Sequence, residues 1–130
     1  MGIDKVTVKT MQILDQSNAE DYLPKNNSYS RYELNNRELK VKGKQKNHCF
    51  ALWKSSIVTW DGLVVPCCFD KNAVYKFGKL NGTPFIDVWK NKEYNSFRRK
   101  ILKNRKEISI CKNCTSGVKI NVKEILVNAS

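Results

Sequence analysis

Residues 5–9 (Lys-Val-Thr-Val-Lys) alternate polar with apolar, the period of a short strand. Residues 15–48 are polar and carry little periodicity. Pro24-Lys25-Asn26-Asn27-Ser28 marks a loop there, and only residues 39–41 suggest a further short strand. The pattern changes at Cys49. Ser55-Ser56-Ile57-Val58-Thr59 and Leu63-Val64-Val65 are rich in β-branched residues, with Trp60-Asp61-Gly62 between them. Asp-Gly in that setting is a strong hairpin signal, because Gly accepts the positive φ of a tight turn. Pro66 has no N–H to give a ladder, so it ends the second strand.

Thr83-Pro84 reads as the N-cap and first position of a helix. Phe85, Val88 and Trp89 supply the buried face of about two turns. Asn91 can cap a second helix, with Tyr94, Phe97 and Ile101 on one face and a basic run on the others. Ile108 and Ile110 then alternate into Cys111, and Val118, Ile120 and Val122 alternate as a last strand or tail. Together these elements predict an α+β fold. It has a small β-hairpin and two short helices, with a poorly packed N-terminal segment. The three Trp and five Phe are assigned mostly to the core, since large rings dominate burial in a small domain.

A length of 130 residues fits one domain, and 41% hydrophobic residues allow a modest core. No run approaches the roughly 18 apolar residues of a membrane span. The opening MGIDKVTVKT has no apolar stretch of the secretory kind. The net charge is +12, and residues 90–130 hold eleven basic against three acidic residues. The basic residues cluster at 98–100 and 103–106. Such clusters can neutralise nucleic-acid phosphates, but runs of this length are more often a solvated helix face.

The five cysteines follow C-x17-C-C-x42-C-x2-C, as Cys49, Cys67, Cys68, Cys111 and Cys114. Their odd number and uneven placing disfavour a secreted disulfide scaffold. Two residues between thiols let both sulfurs face one metal centre from a single turn. A redox dithiol would want a following helix in a βαβ unit, which is absent here. Adding the upstream cysteines gives the four thiolates of a closed tetrahedral centre, structural zinc or a [4Fe–4S] cluster. Spacing admits both metals. One half of the set is split across a hairpin, which disfavours an ordinary zinc ribbon. Successive residues of a strand point to opposite faces, so Cys67 and Cys68 do not easily share one centre. His48 is the only histidine and is assigned to the surface or outer shell. Buried thiols acting as small hydrophobes fit this orderly pairing less well.

The order of Cys49, Trp53, Ile57-Val58-Thr59-Trp60-Asp61-Gly62, Val64-Val65-Pro66-Cys67-Cys68-Phe69-Asp70, Phe77-Gly78-Lys79-Leu80, Val88-Trp89, Tyr94, Phe97-Arg98 and Cys111-Lys112-Asn113-Cys114 resembles the SPASM domain of radical S-adenosylmethionine enzymes. Cys49-x12-Gly62-x4-Cys67 matches that family's opening pattern, and the resemblance covers about residues 48–117. It implies an auxiliary [4Fe–4S] cluster with Cys49, Cys67, Cys111 and Cys114 as ligands and Cys68 spare. A one-residue slip would put Cys68 in place of Cys67. Longer family members continue with further cysteines and hold two clusters. This chain has none after Cys114, so it is similar to the shorter, single-cluster twitch version.

The catalytic signature C-x3-C-x2-C is absent, so this chain is not itself expected to be the catalyst. The resemblance implies a parent radical SAM oxidoreductase, with S-adenosylmethionine bound only there. Residues 1–47 would be the end of its barrel and a linker, 48–117 the cluster domain, and 118–130 a strand or tail. The expected partners are that barrel and a peptide or protein substrate, in the cytoplasm, with neither membrane nor nucleic acid. Full cysteine ligation favours electron relay or a structural role over substrate coordination. The main rival is a zinc module contacting nucleic acid through residues 98–106, followed by a metal-free interaction domain. A purified sample can carry zinc or no metal, because expression in air strips or exchanges clusters.

Overall fold

The structure is a computed structural model that describes residues 6–8, 10–13, 17–120 and 125–127. In chain order its elements are β1 (Val6–Val8), α1 (Ala19–Tyr22), β2 (Tyr32–Asn35), β3 (Glu38–Val41), α2 (Ala51–Lys54), β4 (Ile57–Val58), β5 (Leu63–Val65), β6 (Gly78–Lys79), α3 (Phe85–Lys90), α4 (Lys92–Asn104), α5 (Ser109–Lys112) and β7 (Ile125–Val127). Short 3-10 turns occupy Asn27–Tyr29 and Arg105–Glu107. Every pairing is antiparallel, in sheets β1-β7, β2-β3 and β4-β5-β6. Small, wholly antiparallel sheets beside short helices, with no parallel β-α-β unit among the described residues, make the class α+β, as the pattern predicts. The chain divides into two units, Lys46–Gly117 and Met1–Gln45 with Val118–Ser130.

In the unit built from both chain ends, β1 lies within the expected strand at 5–9 and pairs with β7, Val6 opposite Val127. The alternation at Val118 and Ile120 forms no strand, and Val122 lies outside the described residues. The strand expected at 39–41 forms as β3, and the hairpin it makes with β2 is new. Its two-residue loop, Asn36-Arg37, has positive φ at both positions (49° and 63°), the mirror-image turn that suits the twist of paired strands. Arg carries no signal for that conformation, which hid the hairpin. Tyr32 and Leu39 are buried from it and join Ile13 and Ala19 in a small core. The Tyr32 hydroxyl accepts the Ile13 N–H at 3.1 Å. The expectation of a poorly packed N-terminal segment is therefore qualified: long-range pairing supplies packing that its local sequence does not advertise.

In the Lys46–Gly117 unit the expected hairpin forms, with Ile57 opposite Val65 and Val58 opposite Val64. Thr59 closes a three-residue loop: its N–H donates to the Leu63 carbonyl and its hydroxyl accepts the Leu63 N–H, each at 2.9 Å. Gly62 takes φ +86° in that loop. A Cβ there would meet nothing closer than 3.7 Å, so only the backbone conformation penalises a side chain. Gly62→Ala should therefore cost about 1–2 kcal/mol, readable as a fall in the urea midpoint at constant m-value. β6 adds a third strand on the far side of β5.

The helices carry the core. Asn91 caps α4 as expected, accepting the Tyr94 N–H at 2.8 Å, and also donates to the Phe77 carbonyl at 2.6 Å. Tyr94, Phe97 and Ile101 are buried with Leu52, Val64, Phe77, Val88, Ile108 and Cys111. Phe77 packs on Tyr94 (4.2 Å between centroids) and on Phe97 (5.3 Å), tilted rather than stacked.

Three expectations need correction. Helix α3 starts at Phe85, with Pro84 in extended backbone at the cap, and no side chain caps it; the Thr83 hydroxyl is not used. Residues around Ile108 and Ile110 coil into α5 rather than extend, because Ile108 and Cys111 both turn toward the core. The aromatic rings are core only in part: Trp60 is 99% exposed at the hairpin tip, Trp53, Phe50 and Phe85 are exposed too, and Trp89 is half-buried against the edge of the core.

Candidate metal centre

Cys49 lies at the entry to α2, where the Leu52 N–H donates to its carbonyl at 3.3 Å. Cys67 and Cys68 follow β5 directly, placed by Pro66 at the end of the strand. Cys111 sits in α5, and Cys114 follows one turn later, its N–H donating to the Cys111 carbonyl at 3.2 Å. Three separate segments thus supply the thiols.

They converge. The Cys67 thiol feels the charges of Cys114, Cys68 and Cys49, and the Cys111 thiol those of Cys114, Cys67 and Cys49. Burial, followed by these neighbours, pushes Cys67 up to about 11 and Cys111 up to about 12. Arg105 opposes the shift at Cys111. Cys111 and Cys114 are buried, Cys49 and Cys67 half-buried, and Cys68 exposed. None of the five forms a disulfide. Among the described residues, no group of three His, Cys, Asp or Glu side chains is drawn together tightly enough to hold a single metal ion.

Two sulfurs already receive backbone donors two residues ahead. Ser116 N–H donates to Cys114 Sγ at 3.4 Å, and Phe69 N–H to Cys67. Such donors stabilise a thiolate and, on a bound cluster, tune its potential. All-sulfur donors, partial burial and N–H···S bonds fit an iron–sulfur centre.

An iron–sulfur cluster-binding domain model, SPASM, matches residues 49–115, half of the chain. The chain belongs to the SPASM family. Its SPASM domain is also similar to a curated relative, the S-adenosyl-L-methionine-dependent 2-deoxy-scyllo-inosamine dehydrogenase of Niallia circulans. The two are 30% identical over 69 residues, 52% of this chain and 28% of that protein. The chain therefore spans under a third of the length of this relative. No solved structure matches.

Several residues that hold the SPASM domain together carry no metal-ligand signature. Asp70, buried just after the cysteine pair, accepts the N–H groups of Val74 and Tyr75, each at 2.8 Å, and so shapes the loop that leaves Cys67. Asn47 bridges the Cys49 segment to the end of α4: its amide donates to the Lys103 carbonyl at 2.9 Å and accepts the Arg105 N–H at 3.1 Å. His48 contributes its carbonyl, which accepts from Arg105 at 3.1 Å.

The reading of the basic run as a uniformly solvated face is corrected at two positions. Arg98 is buried, donating to the Leu52 carbonyl at 3.1 Å and the Trp89 carbonyl at 2.8 Å. Its guanidinium also lies over the rings of Tyr94 (3.9 Å) and Trp89 (4.3 Å). Arg105 is buried as well. Both donate to carbonyls inside the protein, leaving Arg99, Lys100, Lys103 and Lys106 on the exposed surface. No described helix is long and apolar enough to cross a membrane.

Proposed function

We propose that the domain holds one [4Fe–4S] cluster on Cys49, Cys67, Cys111 and Cys114, as the auxiliary centre of a radical SAM enzyme. The observation that carries this reading is the match of an iron–sulfur cluster-binding domain over residues 49–115, within which three segments bring Cys49, Cys67 and Cys114 into the electrostatic neighbourhood of Cys111. A bound cluster would supply one-electron transfer. The residues of this chain shield the thiols by burial, donate backbone N–H groups to two of them, and leave no open ligand position. That favours relaying electrons, with help in positioning a peptide or protein substrate, over activating a substrate directly. The reaction itself and S-adenosylmethionine belong to the partner barrel, which the relative's dependence on that cofactor supports. A reducing cytoplasm suits thiols kept out of disulfides.

The test is anaerobic reconstitution with iron and sulfide. The expected product is brown, with about four irons per chain. A colourless protein that takes up no iron, or one that binds a stoichiometric zinc ion in preference, would refute the reading. Cys68 is exposed and couples to Cys67 alone among the pairs above, so Cys68→Ser should load iron as the unsubstituted chain does. If Cys68→Ser abolished loading, the ligand set would shift by one residue.

A further inference from the structure

The Arg105 side chain is 2% exposed. Its Nη1 donates to the carbonyls of His48 and Ser116, each at 3.1 Å, and its Nη2 to the carbonyl of Cys114 at 3.3 Å. Its Nε is buried with no acceptor. The ion pairs among the described residues are Lys40 with Glu38 and Lys79 with Asp61, so no described carboxylate neutralises this guanidinium. A buried cation compensated only by neutral carbonyls is costly, and proteins ordinarily pair it with an anion. Its carbonyl partners are those of Cys114 and of the residue preceding Cys49, so the guanidinium is held against two of the segments that supply the proposed ligands. The sulfurs of those ligands become anionic only when they bind a metal.

We propose that Arg105 is a positioning residue and the built-in counter-charge of the cluster, clasping the Cys49 and Cys114 segments while its positive charge raises the cluster's reduction potential. This rests on the cluster reading above. Four thiolates around a [4Fe–4S] core of charge +2 leave two net negative charges, and one electron accepted from an external donor adds a third. A fixed cation in a half-buried site favours the more negative, reduced form. The neutral carbonyls explain the clasp; only an anionic centre explains why the clasp carries charge.

The experiment compares the full chain with Arg105→Gln and Arg105→Lys after anaerobic reconstitution. It reads iron content and the midpoint potential in a dye-mediated titration. Arg105→Gln should lower the equilibrium constant for reduction at least tenfold, a shift of about 59 mV to more negative potential. Arg105→Lys keeps the charge and should stay within that interval of the unsubstituted chain. An unshifted Gln variant, or equal shifts in both, would overturn the proposal. Where Gln retains no iron, loading decides. Retention by Lys supports the charge, and loss in both reduces Arg105 to a geometric clasp and overturns it. An unsubstituted chain that binds no iron would instead remove the cluster reading itself, an outcome plainly distinct from an unshifted potential.

Discussion

Replacing Cys114 by Ala is expected to remove iron from the reconstituted domain. Cys114 is 5% exposed, receives the Ser116 N–H on its sulfur, and reaches the electrostatic neighbourhood of both Cys67 and Cys111. The substitution leaves three of the four proposed ligand thiols and would open a coordination position in a buried place that water fills poorly. Loss of an outer partner of a metal ligand costs 10–100-fold in affinity, so loss of the ligand itself should exceed about 100-fold. Iron and labile sulfide per chain, with the visible charge-transfer absorption, report the result. Iron retained at the unsubstituted level would mean that Cys114 is not a ligand. Cys68→Ser is the matched control, since it also deletes a thiol from the same neighbourhood.

Phe97→Ala should have the largest effect on stability. Phe97 is 4% exposed at the centre of α4, with Tyr75 at 5.0 Å and Phe77 at 5.3 Å between ring centroids. Truncation removes its burial and leaves a cavity that these tilted rings fill incompletely, at a cost of about 3–5 kcal/mol. In a unit the size of Lys46–Gly117 each kcal/mol moves Tm by about 4–8 °C, so a fall of at least about 12 °C is expected in the cluster-free protein. The fall should be smaller after cluster loading, because a ligand bound only by the folded state stabilises it. A cluster-free Tm changed by under a few degrees would show that the Phe77, Tyr94 and Phe97 block is not the core on which the domain depends.

Local signals were readable in advance. The Asp61-Gly62 turn, the Asn91 cap and the Tyr94, Phe97 and Ile101 stripe each depend on residues within one or two turns of one another, and each occurs where its pattern predicts. The convergence of the thiols was legible only through spacing and family likeness. What stayed hidden is decided at a distance. Arg98 and Arg105 look like surface residues by composition, but the carbonyls that hold them include ones 46 and 57 positions away. The β2-β3 hairpin escaped because Asn36-Arg37 adopts a turn that Gly normally announces. Trp60 inverts the usual rule: a large ring at a loop tip meets no neighbour, whatever its preference for burial.

The origin of the thiols in three segments also sets an order of events during synthesis. Cys49 and Cys67 leave the ribosome well before Cys111, with 42 residues intervening after Cys68. At about 5–20 residues per second that interval is roughly 2–8 s. Through it the nascent chain carries the early cysteines without Cys111 and Cys114, while β6, α3, α4 and Arg105 are made. Assembly of the proposed four-cysteine centre would therefore come last, on a scaffold whose sheet and longest helix have already been translated.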